Sequence, residues 1–356
     1  EEWNKRLIEY NKKIENGTFK SEECGYLIED LFHKDYRSHF NKNSNLEELR
    51  GKLYKIKNNL AEYYNCTEEE ICTGDYKPKT EMTCPYKIIL GNADFSNSNI
   101  TDLGNLQHIG ENADFSNSEI TDLGNLQHTG GYADFSNSKV TSLGNLKSIG
   151  GNAFFGHSKV TTLGNLQNIG GDAYFEDSEV TDLGNLQIIE GDANFRYSIV
   201  TDLGNLKSIG GNAFFGHSKV TNLGNLKSIG LRASFRYSKV TSLGNLQSIG
   251  GGANFRYSIV TDLGNLESIG ENADFRDSKV TSLGNLQSIG EYADFSDSKV
   301  TTLGNLQNIG GDAYFEDSEV TDLGNIEHIG GKIITDENNT YLKEEYEQRI
   351  KNVIKQ

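Results

Sequence analysis

The sequence predicts a β-solenoid, in which the chain coils repeatedly and stacks short parallel strands from successive coils. One pattern returns every 20 positions from Ile89 to Lys332 without an insertion or deletion. Within each unit, small and aromatic residues alternate with polar ones, which is typical of a half-buried strand. A unit this short cannot bury its apolar side alone, so neighbouring units must stack.

The limits of the repeat define four segments of the chain. We predict a small α-helical N-terminal domain at residues 1–72, a linker at 73–88, twelve coils at 89–332 and a C-terminal cap at 333–356. Pro78 in the linker interrupts regular hydrogen bonding. The solenoid is therefore expected to be closed at both ends by helical segments.

Three helices are predicted in the N-terminal domain. Residues 3–16 have apolar side chains near helical spacing and stop at Asn16-Gly17, a helix terminator. A second helix fits residues 21–40. A third begins at the capping box Ser44-Asn45-Leu46-Glu47. Its buried face is expected to hold Leu49, Leu53, Ile56, Leu60 and Tyr63.

The C-terminal cap is predicted to contain one amphipathic helix. Its apolar residues are spaced three or four apart, as Leu342, Tyr346, Ile350 and Val353. Such a helix can cover the apolar edge that the last coil would otherwise expose.

The path of one coil follows from the unit Ile149 to Asn168. Its Ala and Phe positions are expected to point inward from one short strand, and the Phe residues of successive coils should form an internal ladder. A serine in every unit, Ser98 in the first, is expected to hydrogen bond to the backbone at the bend. The coil is expected to be right-handed, as parallel crossovers are.

The second half of each coil is predicted to return without a strand. Leu103, Leu106 and Ile109 are spaced by three, which favours a tight turn at the intervening Gly104-Asn105. Gly110 is expected to supply the backbone dihedral angles with which the chain enters the next strand.

This unit resembles the bacterial cell-surface class of leucine-rich repeat. The run Ile149-Gly150-Gly151-Asn152-Ala153-Phe154-Phe155-Gly156-His157-Ser158-Lys159-Val160-Thr161 carries the resemblance, and it is similar to receptor L-domain repeats as well. The likeness covers about two-thirds of the chain. It implies a leucine-rich-repeat-like solenoid, but it does not indicate which ligand the protein would bind. The unit is shorter than in those families, Ser replaces the usual Asn or Cys, and the proline is missing. Pentapeptide-repeat solenoids are the alternative, although their five-residue period fails across Leu-Gly-Asn-Leu.

Charge and hydropathy exclude some kinds of partner. The formal net charge is −17, and most of it lies in the repeats. Binding to a nucleic-acid backbone needs clustered Lys and Arg, so we expect none. No run of 18 apolar residues occurs and Glu1 opens the chain without an apolar leader, so no membrane insertion is expected. The compartment and the oligomeric state stay open.

No residue pattern in the chain predicts catalysis, a cofactor or a metal site. His33 and His39 flank Asp35, but they are six positions apart and so lie on different helix faces. The four cysteines lack paired zinc spacing. They could form two disulfides or remain free thiols, and both alternatives are open for Cys24, Cys66, Cys72 and Cys84.

Within the strand and its bend, sequence variation is confined to positions predicted to face outward, equivalent to 92, 94, 96, 97 and 99. The first coils are acidic and rich in amides there, with Asp94 over Asn97, and the last coils are acidic again. The middle coils instead carry aromatic, Arg and aliphatic residues, which are typical of binding hot spots. We therefore predict a partner-binding surface made of Phe154, His157, Tyr174, Arg196, Tyr197, Ile199, Phe214, His217, Arg236, Tyr237, Arg256, Tyr257 and Ile259.

These observations favour macromolecular recognition, without catalysis, by a bacterial or phage protein. The acidic ends suggest a protein partner with a basic surface. One alternative is an intracellular inhibitor, such as a phage counter-defence protein that mimics nucleic acid or blocks a basic nuclease. Another is a bacterial surface adhesin. A third places an enzyme in residues 1–88.

Overall fold

The protein is a parallel β-solenoid with about 13 turns of about 20 residues, a small N-terminal helical region and a C-terminal helix. The computed structural model describes residues 2–32, 48–49, 51–337 and 340–354. The chain divides into two compact units, Glu1–Gly171 and Asp172–Gln356. The predicted fold class is confirmed, while the hand of the coil stays a prediction.

Helices α1 (Glu2–Glu15), α2 (Cys24–Phe32) and α3 (Lys57–Tyr64) begin the first unit. Helix α1 ends where it was predicted to end, because Gly17 adopts φ +66° just after it. The helices share one apolar core with the first strands of the solenoid. The core consists of Leu7, Tyr10, Ile14, Phe19, Cys24, Leu27, Ile28, Leu49, Leu53, Ile56, Leu60, Ala61, Ile71, Ile88 and Leu90.

The third predicted helix is interrupted. A 3₁₀ turn at Leu53–Ile56 precedes α3, and the four expected aliphatic residues of this face are buried. Tyr63 was expected to be buried with them but is 47% exposed. Its ring lies across Gly25 of α2, where a Cβ would be 2.3 Å from the phenol oxygen. The predicted capping box at 44–47 and residues 33–40 of the second predicted helix lie outside the described residues.

The segment predicted to be a linker forms a shortened first turn of the solenoid. Strand β1 (Ile71–Cys72) pairs in parallel with β2 (Ile88–Ile89), only 17 positions later. Tyr76 forms a bridge to Ala93, and its ring meets Phe95 edge-on at 6.0 Å. This turn was missed because it is shorter than the 20-residue period and has Tyr where other turns have Ala.

Each turn of the first unit then contributes two strands of two residues, which belong to two different sheets. The prediction of one strand and a strandless return was therefore wrong. One sheet has the order β1-β2-β4-β6-β8-β10 and the other β3-β5-β7-β9. The strands are β3 (Ala93–Asp94), β4 (His108–Ile109), β5 (Ala113–Asp114), β6 (His128–Thr129), β7 (Ala133–Asp134), β8 (Ser148–Ile149), β9 (Ala153–Phe154) and β10 (Asn168–Ile169).

The second unit has the same construction. Its even-numbered strands β12 to β26 form one parallel sheet and its odd-numbered strands β11 to β27 the other. They are β11 (Ala173–Tyr174), β12 (Ile188–Ile189), β13 (Ala193–Asn194), β14 (Ser208–Ile209), β15 (Ala213–Phe214), β16 (Ser228–Ile229), β17 (Ala233–Ser234), β18 (Ser248–Ile249), β19 (Ala253–Asn254), β20 (Ser268–Ile269), β21 (Ala273–Asp274), β22 (Ser288–Ile289), β23 (Ala293–Asp294), β24 (Asn308–Ile309), β25 (Ala313–Tyr314), β26 (His328–Ile329) and β27 (Ile333–Ile334).

The second strand of each turn, such as β4, was not predicted because its sequence pattern is too short to be recognised. Only two residues per turn are involved, and one of them is the Ile that follows the turn at Gly104-Asn105. The turn itself is confirmed, since Leu106 N–H donates to the carbonyl of Leu103 at 3.1 Å. A strand of two residues shows no alternation, so spacing by three was the stronger signal.

The predicted phenylalanine ladder is confirmed in both units. All twelve rings from Phe95 to Phe315 are fully buried. Neighbouring rings stack nearly parallel, with centroids 5.3 to 5.4 Å apart in the first unit and 4.9 to 5.6 Å apart in the second. Equivalent side chains stack because successive strands pair in register.

Glycine has two different roles in the coil, and one of them was assigned wrongly. Gly104 adopts φ +58°, and the carboxylate of Asp102 accepts a hydrogen bond from its N–H. The glycine that follows most even-numbered strands, as Gly150 follows β8, does not have positive φ. A Cβ on Gly150 would lie 2.4 Å from the carbonyl oxygen of Gly130, so this position is glycine because two turns approach closely there.

The serine ladder agrees only in part with its prediction. The serines from Ser118 to Ser298 are buried as expected. Ser98 and Ser218 Oγ donate to the carbonyls of Phe95 and Phe215 at 2.7 and 2.8 Å. Among the residues that the structure describes, seven others have a buried Oγ without a hydrogen-bond partner: Ser118, Ser138, Ser158, Ser198, Ser238, Ser258 and Ser298. In those turns the small size of serine explains its presence better than hydrogen bonding does.

Helix α4 (Thr340–Ile354) covers the last turns of the second unit, as predicted. Leu342 is fully buried. The Tyr346 hydroxyl accepts from Ile329 N–H at 2.7 Å, the Tyr341 hydroxyl donates to the Val320 carbonyl, and Arg349 donates to the Gly324 carbonyl. The side chains of Ile350 and Val353, also predicted to cap, lie outside the described residues.

The four cysteines carry free thiols. Burial raises the pKa of Cys24 to about 12 and that of Cys84 to about 11, so these two thiols stay protonated near neutral pH. In the described part of the chain, no three His, Cys, Asp or Glu residues are grouped to hold a metal ion. His33, Asp35 and His39, which were considered as metal ligands and judged against, lie outside that part. None of the described helices is long and apolar enough to cross a membrane.

Candidate partner-binding surface

The turn that follows each odd-numbered strand from β3 to β25 has a left-handed residue at the position equivalent to 97. All twelve such residues have φ between 50 and 57° although none is glycine. Seven are Asn or Asp, which tolerate this conformation best. The others are His157, Tyr197, His217, Tyr237 and Tyr257. Backbone preference explains the Asn and Asp residues and is compatible with His, but it opposes the three tyrosines.

Four of these aromatic residues stack into a ladder on the surface of the second unit. Ring centroids are 5.2 Å apart for Tyr197 and His217, 5.1 Å for His217 and Tyr237, and 5.2 Å for Tyr237 and Tyr257. The three tyrosines are 37 to 55% exposed. The inner ring faces contact one another, so the exposed parts of the rings are mainly their edges, and the Tyr257 hydroxyl accepts a hydrogen bond from Arg256 at 2.9 Å.

Arginines precede the tyrosines in the same turns and lie against aromatic rings. The Arg196 guanidinium is 4.3 Å from the centroid of the Phe214 ring. The Arg236 guanidinium is 4.9 Å from the Tyr237 centroid, and that of Arg256 is 4.8 Å from the Tyr257 centroid. Such cation–π contacts hold the long arginine side chains beside the ladder.

Two positions after each ladder residue, a third row completes the surface. It contains the predicted Ile199 and Ile259 and, between them, Lys219 and Lys239, which were not among the predicted site residues. Both lysines are exposed. They could have been found, because they occupy the outward position equivalent to 99. We call the whole surface the basic aromatic stripe: Arg196, Tyr197, Ile199, His217, Lys219, Arg236, Tyr237, Lys239, Arg256, Tyr257 and Ile259.

The charges of this stripe differ from those around it. Some exposed cations elsewhere in the solenoid have carboxylate partners, as Arg276 has in Asp274 and Asp294 at 2.7 and 3.2 Å and Lys299 has in Glu319. Arg256 at the edge of the stripe binds Asp277 at 3.2 Å. Within the described residues, no ion pair is formed by Arg196, Lys219, Arg236 and Lys239. The stripe is therefore a locally basic region of an acidic protein.

Not all predicted site residues belong to the stripe. Phe154 and His157 lie in the first unit, where Phe154 is half-buried and meets Tyr132 edge-on at 6.3 Å. In the second unit, Tyr174 and Phe214 are half-buried at strand positions. The Tyr174 hydroxyl donates to Asp172 at 3.0 Å. The Phe214 ring contacts the Arg196 guanidinium, so Phe214 borders the stripe but is not counted among its residues.

Two of the outward positions have structural roles that the repeat pattern alone does not reveal. At position 94, the Asp94 carboxylate accepts from Ser96 N–H at 3.1 Å, and Asp114 and Asp134 cap the same turn in later coils. At position 92, a side-chain oxygen accepts from the N–H of the next turn, as Asp192 does from Asn212 at 2.6 Å. Much of the acidic surface in the first coils therefore stabilises turns.

A buried histidine in the first unit predicts a dependence of stability on pH. Burial, together with a smaller effect of neighbouring His128, lowers the pKa of His108 to about 3. In the unfolded chain this pKa is about 6.5. Between these values the unfolded chain binds the proton and the folded protein does not, so stability should fall as pH falls from about 6.5 toward 3, by roughly 1 kcal/mol per pH unit.

Urea unfolding at several pH values, followed on wild type and His108→Gln, checks this expectation. The variant should lose less stability than wild type between pH 7 and pH 4. His328→Gln is the control, because His328 occupies the equivalent position of the last coil but is exposed. Equal pH dependence in wild type and His108→Gln would contradict the prediction.

Comparison with family models, curated proteins and solved structures finds no match to this chain. The resemblance to leucine-rich repeats therefore stays a likeness of pattern, and the comparisons assign no family.

Proposed function

We propose that the protein recognises a protein partner through the basic aromatic stripe and that it carries out no catalysis. The observation that supports this most is the stacked ladder of Tyr197, His217, Tyr237 and Tyr257 at left-handed positions. Asn or Asp would suit the backbone there and fills the same position in other turns. Aromatic residues that oppose local backbone preference at a surface indicate a selected contact.

The composition and rigidity of the stripe also support binding. Tyr and Arg are enriched among residues that contribute most to protein interfaces. The cation–π contacts and ring stacking restrict these side chains before any partner arrives, which lowers the entropy lost on binding. The three rows lie in turns that follow stacked strands, so the pairing of the strands spaces the rows regularly. The surface is therefore formed before a partner binds.

Substituting Tyr197, Tyr237 and Tyr257 together by Asn tests the proposed function. Loss of ring stacking and relief of the left-handed strain should offset each other to within about 1 kcal/mol, so the variant should stay folded. Capture from an extract of the native host, quantified by mass spectrometry, should retain at least one protein on wild type that the variant loses. The Kd of the variant for that protein, measured with the purified partner, should be on the order of 100-fold higher than the Kd of wild type.

The control replaces Asp297 and Asp317 by Asn at the same left-handed position in turns beyond the ladder, and it keeps Asp277, which binds Arg256 of the stripe. This variant should capture the same partner as wild type. Identical sets of proteins on all three baits would show that the stripe is not the contact surface.

A further inference from the structure

The geometry points to a short acidic protein segment as the occupant of the basic aromatic stripe. This inference rests on the proposed function and adds the chemistry of the partner. The net charge of −17 had suggested a basic partner. That expectation concerns the whole chain, whereas the contact is decided by the charges at the surface itself.

The local charges require an anion. In the four turns that carry the ladder, the three rows equivalent to 196, 197 and 199 contain five Lys and Arg residues and no Asp or Glu. Arg196, Lys219, Arg236 and Lys239 have no carboxylate partner among the described residues. A neutral or basic partner would remove water from these cations without replacing it, which is unfavourable. Carboxylates would replace the lost water with charge-assisted hydrogen bonds.

The exposed parts of the rings favour the same class of partner. Since the ring faces stack on one another, a ligand meets their edges, which carry partial positive charge. The hydroxyl groups of Tyr197 and Tyr237 add hydrogen-bond donors at the same surface. Ring edges, hydroxyl groups and guanidinium groups together suit carboxylate oxygens.

The length of the stripe separates a short protein segment from a long polyanion. The ladder spans three ring-to-ring steps of 5.1 to 5.2 Å, which is about 15 Å. An extended chain advances about 3.3 Å per residue, so about five residues fit. Glu176 and Asp177 lie before the ladder and Asp277 lies after it, so a nucleic acid continuing past either end would be repelled.

Fluorescence anisotropy with three labelled probes tests the inference on the full chain. The probes are a hexapeptide of alternating Tyr and Glu, the same peptide with Lys in place of Glu, and a six-nucleotide oligothymidylate. We expect the acidic peptide to bind at least about 10-fold more tightly than either other probe at low salt, and its affinity to fall as salt is added.

Charge-neutralising variants locate that binding. Arg196→Gln combined with Arg236→Gln should weaken acidic-peptide binding about 10-fold. Arg276→Gln is the matched control, because Arg276 occupies the same row but is already paired with Asp274 and Asp294. The affinity of the Arg276→Gln variant for the acidic peptide should change less than about 2-fold.

Three results would overturn the inference: no binding of the acidic peptide, tighter binding of the Lys peptide or the oligothymidylate, or equal losses in the stripe and control variants. In each case, a host protein that is captured by wild type and lost on Tyr→Asn substitution would still support the proposed function. If the acidic peptide binds but its affinity does not change in the Tyr→Asn variant, that result would count against both the inference and the proposed function.

Discussion

Replacing Phe215 by Ala should lower the free energy of unfolding by about 3–5 kcal/mol. The Phe215 ring is fully buried and stacks between Phe195 and Phe235, with centroids 5.6 and 5.1 Å away. Its removal takes away contacts on both sides and leaves a cavity that in-register turns cannot close by moving independently. Urea unfolding monitored by far-UV circular dichroism measures the change.

Phe214→Ala is the control for this prediction. Phe214 is the next residue toward the N-terminus in the same turn, but it is half-buried and points outward. Its loss should cost about 1 kcal/mol, mainly through the contact with Arg196. Equal costs for the two variants would mean that the internal ladder does not dominate the stability of the coil.

The buried part of the solenoid could be predicted because the same environment recurs in every turn. A position that is always enclosed admits few side chains, so Phe and Ala recur at Phe215 and Ala213 and their equivalents. Twelve copies of one pattern supply, within a single sequence, the comparison that usually needs relatives. The first turn could not be found in this way, because Ile71 and Ile88 are 17 positions apart.

The stripe was predicted less completely, for a different physical reason. The sequence showed which positions vary, but not why. Asp at position 94 and Asn at position 97 varied like binding residues, although the structure shows them capping a turn or adopting positive φ. Lys219 and Lys239 were not predicted as binding residues, because most lysines lie at the surface whether or not they bind a partner. They became informative only when their lack of ion pairs could be compared with paired residues such as Arg276.

Position 97 shows how structure and function are separated in this molecule. The internal ladder fixes the backbone of each turn so firmly that a Tyr can be held at φ 55 to 56°, as in Tyr197 and Tyr237. The scaffold therefore tolerates residues that the local turn disfavours. Contacts at the surface can change from turn to turn without altering the buried side chains beneath them.

Gly230→Ala should cost about 3 kcal/mol or more, the other large effect expected in this protein. A Cβ on Gly230 would lie 2.1 Å from the carbonyl oxygen of Gly210 in the preceding turn. That oxygen belongs to the backbone, so it cannot move aside as a flexible side chain could. Room for the methyl group requires the two turns to separate, which would break hydrogen bonds such as Gly230 N–H to Ile209 O at 2.8 Å.

Gly244→Ala separates lack of space from backbone conformation. Gly244 has φ +56°, and a Cβ there would meet nothing within 4 Å. Only the left-handed conformation opposes alanine, so the cost should be about 1 kcal/mol. Chemical denaturation of both variants decides between the two roles of glycine. If Gly244→Ala proved the more damaging, the turn dihedral angles, and not the close approach of successive turns, would limit which sequences can form this coil.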